Sequence, residues 1–153
     1  MLDAKSTFIT WTTYGTWLPG DPRGWRNRKL GYRVPQPLLE DWTRQQMKGL
    51  AVLLQPADRA TVEQACRNHC QFRGWHLFAV NARSNHVHVV VAADVPSATV
   101  RDQLKANCTR ELRAQPIPLN VERTWTKGGY CEFLDTDEDI EMAVQYVNEA
   151  QDR

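Results

Sequence analysis

His86 and His88 stand one residue apart in the run NHVHVVV at 85–91. In an extended strand successive side chains leave opposite faces, so both imidazoles project one way and Val87, Val89 and Val91 the other. At roughly 3.3 Å of rise per residue the rings start about 7 Å apart, close enough to converge on one metal ion. An isolated His-x-His pair is more often two half-exposed strand histidines. Here the valines offer the opposite face to a core, which places the histidines on the open face of a sheet. A second chemistry-bearing residue is Tyr146, followed by Asn148, Glu149 and Gln151. A phenol ionises only near pH ~10, so it acts as a nucleophile by losing its proton as it attacks. By pattern alone, Tyr146 also fits a helix tyrosine packed at the edge of a core.

A third group is basic and aromatic. Arg23, Arg26, Arg28, Lys29 and Arg33 lie between Gly20 and Pro35 against Asp21 alone, a local charge of +4, with Trp25 and Tyr32 interleaved. Cations for phosphates and rings for bases suit a single strand or a hairpin tip of nucleic acid. The competing account is a solvated loop with one or two buried aromatics. Arg83 and Lys127, in turns, and Arg101, Lys105, Arg110 and Arg113, on a helix, extend the basic surface. From Glu132 to Arg153 eight acids face one arginine, a local charge of −7, so the near-neutral total of +1 conceals opposed halves.

These residues need elements to position them. FITWTTY at 8–14 is β-branched and aromatic and reads as a strand. The glycine- and proline-rich segment at about 15–37 reads as one long irregular loop. A short helix is weakly patterned over 38–54. A better one runs over 56–72, with Asp58 in its first turn and Val62, Ala65, Cys66, His69 and Phe72 at helical spacing. WHLFAVN at 75–81 and HVHVVVA at 86–92 read as a hairpin. Ser97 is the expected cap of a helix to about 113, with Val100, Leu104, Cys108 and Leu112 on one face. A fourth strand spans 125–133, broken at Gly128 and Gly129. Thr136 caps a last helix whose acids Asp137, Glu138 and Asp139 suit its dipole and whose stripe is Ile140, Ala143, Val144 and Val147. The order is the split β-α-β plan of an α+β, ferredoxin-like antiparallel sheet. Helices are expected on one face, leaving the other free, and the last helix carries the tyrosine.

A chain of 153 residues predicts one domain over 1–153 with an embellishing loop. It has no run of 18 or more apolar residues, so no membrane span is expected, and its start lacks the apolar core of a signal peptide. A cytoplasmic protein is the expectation. Cys66, Cys70, Cys108 and Cys131 are expected to be reduced and mostly buried. Cys66, His69 and Cys70 have no second Cys/His pair at finger spacing to complete a zinc site.

Three blocks together carry a family resemblance: FITWTTYGTWLPGD at 8–21, NHVHVVV at 85–91 and AVQYVNEAQ at 143–151. In this order the sequence resembles the single-tyrosine HUH transposases, the small insertion-sequence transposases and their REP-associated tyrosine transposase relatives. The resemblance spans nearly the whole chain. It implies a nicking and rejoining enzyme that acts on single-stranded or hairpin DNA and associates with the nucleoid. His86 and His88 would hold Mg²⁺ or Mn²⁺, and Tyr146 would form a 5′-phosphotyrosine with release of a 3′-hydroxyl. Mg²⁺ prefers oxygen donors, so a third, oxygen-bearing ligand is expected. Relatives often carry Gln or Asn four residues after the tyrosine, where this chain has Ala150. Gln151 is favoured in its place and Glu149, on the tyrosine's own helix face, stands second. Many relatives also have Met-Pro where this chain has Arg83 and Ser84.

Two other functions stay open. One is a DNA- or RNA-binding regulator that kept the fold and lost cleavage. The other is a ferredoxin-like metal enzyme with a small substrate. Family members act as monomers or as homodimers that exchange the tyrosine helix, and the sequence leaves both open.

Overall fold

The computed structural model describes residues 4–27, 29, 31–47 and 49–149. Its elements are β1 (Lys5–Thr12), β2 (Trp25–Asn27), β3 (Gly31–Arg33), α1 (Pro37–Gln45), α2 (Pro56–Arg73), β4 (His76–Ala82), β5 (His86–Ala93), α3 (Ser97–Arg113), β6 (Tyr130–Phe133) and α4 (Asp137–Glu149). Four strands form an antiparallel sheet in the order β4-β5-β1-β6, the ferredoxin-like arrangement expected from the sequence.

Strand alternation sorts the side chains of the two central strands. Ile9 and Trp11 of β1 and Val87, Val89 and Val91 of β5 enter the main core. There they meet Val62, Ala65 and Cys66 of α2 and Val100, Leu104 and Cys108 of α3. Cys66, Cys70 and Cys108 are buried thiols and Cys131 is half-buried. Cys66 Sγ lies 3.7 Å from Cys108 Sγ. That neighbour and full burial both push the Cys66 thiol well above its usual range.

The opposite face is only partly free. A second cluster joins Val90 and Ala79, with Phe8 at its margin, to Ile140, Ala143, Val144 and Val147 of α4. The last helix therefore lies across the face that sequence pattern leaves open. Val90 shares the histidines' parity, and its burial beneath α4 explains why β5 is buried almost without interruption. The helix starts as expected, with Asp139 N donating to Thr136 Oγ1 at 3.1 Å.

Three local expectations are corrected. The helix expected over 38–54 ends at Gln45. Beyond Gly49, which has φ +121°, the chain forms no regular element, and burial alternates, with Val52 and Leu54 buried and Leu53 exposed. Alternation of period two outweighs the weak helical pattern there. Ser97 is the first residue of α3 and not its cap; Pro96 holds the cap position without a side-chain bond. Lys105 is no surface cation: its ammonium donates to the carbonyls of Thr126 and Gly128, both at 2.8 Å, and braces the turn before β6. Burial lowers its pKa.

The loop at 15–37 is more regular than its composition suggests. β2 and β3 pair antiparallel, with Arg26 opposite Tyr32 and Trp25 opposite Arg33. Gly20 clamps it to α1: a Cβ there would lie 2.3 Å from the Gln36 carbonyl oxygen and 2.5 Å from Glu40 N. Its φ of +91° also favours glycine.

Candidate active site

The β1–β5 register sets Thr12 opposite His86, Thr10 opposite His88 and Phe8 opposite Val90. Phe8, Thr10, Thr12, His86 and His88 thus share the face that carries α4. Beyond the end of the α4 cluster this face opens into a cleft of about 700 Å³. Thr10, Thr12, Asn85, His86 and His88 form its floor, Tyr146 and Glu149 one wall, and Trp17, Arg23 and Tyr32 another.

The two imidazoles meet with ring centroids 4.5 Å apart. His88 is 6% exposed, stacks on Phe8 at 5.5 Å and lies 5.5 Å from the Tyr146 ring. Its Nδ1 is 2.7 Å from Thr10 Oγ1, and His86 Nδ1 is 2.6 Å from Asn85 Oδ1. Burial, then the nearby His86 and Arg83, push the His88 pKa down from 6.5 to about 4. The ring is neutral at neutral pH, the form in which imidazole binds a metal.

Tyr146 comes to this place because Val147, its neighbour in sequence, is fully buried beneath α4. Asn81 Nδ2 also donates to the Val147 carbonyl at 2.9 Å, tying the last turn of the helix to β4. The tyrosine itself is 57% exposed, and its ring makes T-shaped contacts with Phe8 and His88. A phenol whose helix turn is held at its root, and which is itself largely exposed, is open to a large substrate. Glu149 lies one turn on, and its carboxylate accepts from Gln145 Nε2 at 3.4 Å.

The neutral His88 imidazole, the His86 ring and one carboxylate on a single cleft are donors of a type that fits a divalent cation. Among the described residues, no group of three or more His, Cys, Asp or Glu side chains is arranged to hold an ion. Gln151 lies outside the described residues.

The other half of the cleft belongs to the loop. Arg23 grips Asp21 through Nε and NH2 at 2.8 and 2.7 Å, bonds the Thr16 carbonyl and lies 4.2 Å from the Trp17 ring centroid. These bonds hold the buried Asp21 carboxylate below its usual pKa. Trp17 in turn donates from Nε1 to the Gly24 carbonyl at 2.7 Å. Trp17, Thr10, Thr12 and Asn85 are cleft residues that the sequence pattern did not single out. Strand parity was the available signal for the two threonines.

The comparison with known families now bears on this geometry. The family model described as transposase, IS200-like, matches residues 48–150. The chain belongs to the IS200-like transposase family. That match includes both histidines and Tyr146, while β1 and the basic loop precede it. A solved structure of a REP-associated tyrosine transposase bound to a REP hairpin is similar in fold. Its TM-score is 0.52 at 13% identity, over 95% of this chain and 66% of that one. Comparison with curated proteins gives no match.

In this IS200-like chain the basic residues fall into separate groups. Arg23 and the 76% exposed Tyr32 face the cleft. Trp25 does not: it is 9% exposed, and its Nε1 donates to the Val34 carbonyl at 3.0 Å, so its ring supports the hairpin. Arg26 is placed by its backbone in β2, Lys29 is exposed at the hairpin tip, and Arg28 lies outside the described residues. Arg33 and Arg83 are half-buried, with Nε atoms that have no hydrogen-bond partner within the described chain. Lys127 is exposed in the turn before β6. No described helix is long and apolar enough to cross a membrane.

Proposed function

We propose that this chain is a single-strand DNA endonuclease and strand transferase in which Tyr146 is the nucleophile. The observation that supports it best is the 5.5 Å approach of Tyr146 to His88 on a cleft that also holds His86. Tyr146 Oη forms a bond to the scissile phosphorus while the bond from phosphorus to the 3′-oxygen breaks. The electron pair leaves on that oxygen, which becomes a 3′-hydroxyl, and the phenolic proton passes to water. The 5′-phosphotyrosine retains the bond energy, so a 3′-hydroxyl can reverse the step without a nucleotide cofactor.

His86 and His88 would hold Mg²⁺ or Mn²⁺, with Glu149 or Gln151 as the oxygen donor. The ion supplies positive charge at the scissile phosphate and the leaving oxygen. Arg23, Arg26, Arg28, Lys29 and Arg33 pair with backbone phosphates, and Arg83 and Lys127 extend that path. Tyr32 and Trp17 offer ring faces to unpaired bases, in place of the buried Trp25. The substrate is single-stranded DNA adjoining a hairpin, as the REP hairpin of the structural neighbour suggests. Because α4 packs on its own sheet, the histidines and the tyrosine of one chain form one centre, and no exchanged helix is needed.

Two observations favour a second reading. Ala150 stands where relatives carry a ligand, and the described residues hold no group of three metal-binding side chains. A hairpin-binding regulator without cleavage would show both. The test is to mix the chain with labelled hairpin oligonucleotides and Mn²⁺ and look for an SDS-resistant adduct, with Tyr146→Phe beside it. An adduct from the native chain alone supports the enzyme. Hairpin binding without an adduct from either chain overturns it in favour of the regulator.

A further inference from the structure

Both histidines of the cleft are engaged at the same ring atom. His86 Nδ1 lies 2.6 Å from Asn85 Oδ1, and His88 Nδ1 lies 2.7 Å from Thr10 Oγ1. An amide oxygen only accepts, so His86 Nδ1 carries the proton and donates it to Asn85. A hydroxyl oxygen accepts as readily as it donates, so Thr10 can do the same for His88. In that tautomer the lone pair of each ring sits on Nε2, the nitrogen remote from the supporting oxygen.

Such support is needed because the outer torsion of a histidine is broad and roughly two-fold. A half-turn of the ring exchanges Nδ1 for a carbon, and packing distinguishes the two poorly. The supports are themselves fixed. Thr10 faces His88 directly in the β1–β5 register. The Asn85 carbonyl accepts from Thr13 N at 2.9 Å and Thr13 Oγ1 at 3.3 Å, and Thr13 Oγ1 is 2.9 Å from Thr16 Oγ1. The run from Thr10 to Thr16 thus backs both rings.

We infer that Thr10 and Asn85 are positioning residues that hold His88 and His86 as Nδ1–H tautomers with Nε2 presented to the cleft. Their purpose rests on the metal-holding function proposed above; their geometry does not. Outer hydrogen bonds of this kind orient metal-binding imidazoles, and losing one typically weakens metal affinity about 10- to 100-fold.

The test reads tautomers and metal binding separately, on the full chain. Long-range ¹H–¹⁵N correlation spectra of histidine-labelled protein without metal should show both rings protonated at Nδ1. Thr10→Val should shift His88 toward the Nε2–H form, and Asn85→Leu should do so for His86. Thr10→Ser and Asn85→Asp keep an acceptor and should restore the native pattern. Backbone amide spectra of each variant verify folding. Titration with MnCl₂, followed by the paramagnetic resonance of free Mn²⁺, should show roughly 10- to 100-fold weaker binding in the first two variants and recovery in the second two. Native rings protonated at Nε2 would overturn the inference, as would unchanged tautomers and Mn²⁺ affinity in Thr10→Val and Asn85→Leu. Native Nδ1–H tautomers with no Mn²⁺ binding would uphold the positioning roles and remove the metal-holding function.

Discussion

Val147→Ala should release the tyrosine helix while leaving the rest of the domain folded. Val147 is the one buried side chain that α4 contributes among the described residues, and it meets only Val90 and Ala79 as buried partners. The substitution deletes two methyl groups, each worth about 0.8 kcal/mol of burial, and the resulting cavity raises the loss to roughly 2–3 kcal/mol. The main core beneath α2 and α3 lies on the other face of the sheet and shares none of these contacts. The loss should therefore fall on docking of the helix. At about 1.4 kcal/mol per tenfold, amides of α4 should exchange with solvent roughly 30- to 150-fold faster. Amides of α2, α3 and the β1–β5 ladder should keep their native rates. Hydrogen exchange followed by mass spectrometry of peptides reads this directly. Met142→Ala, at an exposed position of the same helix, is the control and should change nothing. Equal acceleration in all elements would refute the reasoning, because α4 would then belong to one cooperative unit. An unchanged rate in α4 would refute it too.

Tyr146→Phe removes the oxygen proposed to attack and should abolish any DNA adduct while preserving hairpin affinity in a gel-shift titration. His88 has a folded pKa of about 4 against 6.5 when free, so between those values the unfolded chain binds a proton that the folded chain refuses. Its contribution to stability is complete above 6.5 and is lost as pH falls toward 4; thermal denaturation across that range should therefore weaken native protein more than His88→Gln, and parallel losses would show that the ring is not held neutral. Tyr32→Ala should weaken single-strand binding by about 1–3 kcal/mol with little change in stability, whereas Trp25→Ala should reverse that pattern, as titration and chemical denaturation together would show. Asp21→Asn breaks a buried carboxylate from a half-exposed Arg23 and should cost about 1–2 kcal/mol by denaturant titration; an unmoved midpoint would mean that the pair adds nothing to the loop.

Much of the site was legible because it obeys short periods. Alternation along NHVHVVV was enough to put His86 and His88 on one face and three valines on the other. The stripe of Ile140, Ala143, Val144 and Val147 was enough to give α4 an apolar side and to fix where Tyr146 stands beside it. The order of the elements specified the split β-α-β sheet, since a parallel βαβ crossover leaves room for a strand between. The aromatic loop was less legible. Trp25 and Tyr32 have similar neighbours in sequence, yet one ring is buried and the other is exposed. Hairpin pairing of β2 with β3 decides between them, and no local pattern announced that hairpin.

The sequence by itself determined which residues are capable of the chemistry, which strand face the histidines share and which helix carries the tyrosine. These follow from chemical type and from periods of two and about 3.6, which are properties of neighbouring residues. Tertiary structure alone decided that α4 crosses the face opposite α2 and α3, that Asn81 ties down its last turn, and that Thr10 stands behind the His88 imidazole. Thr10 and His88 are 78 positions apart in the chain, and Asn81 and Val147 are 66. Contacts at such separation depend on strand register and on the packing of a helix across a sheet, and local pattern encodes neither.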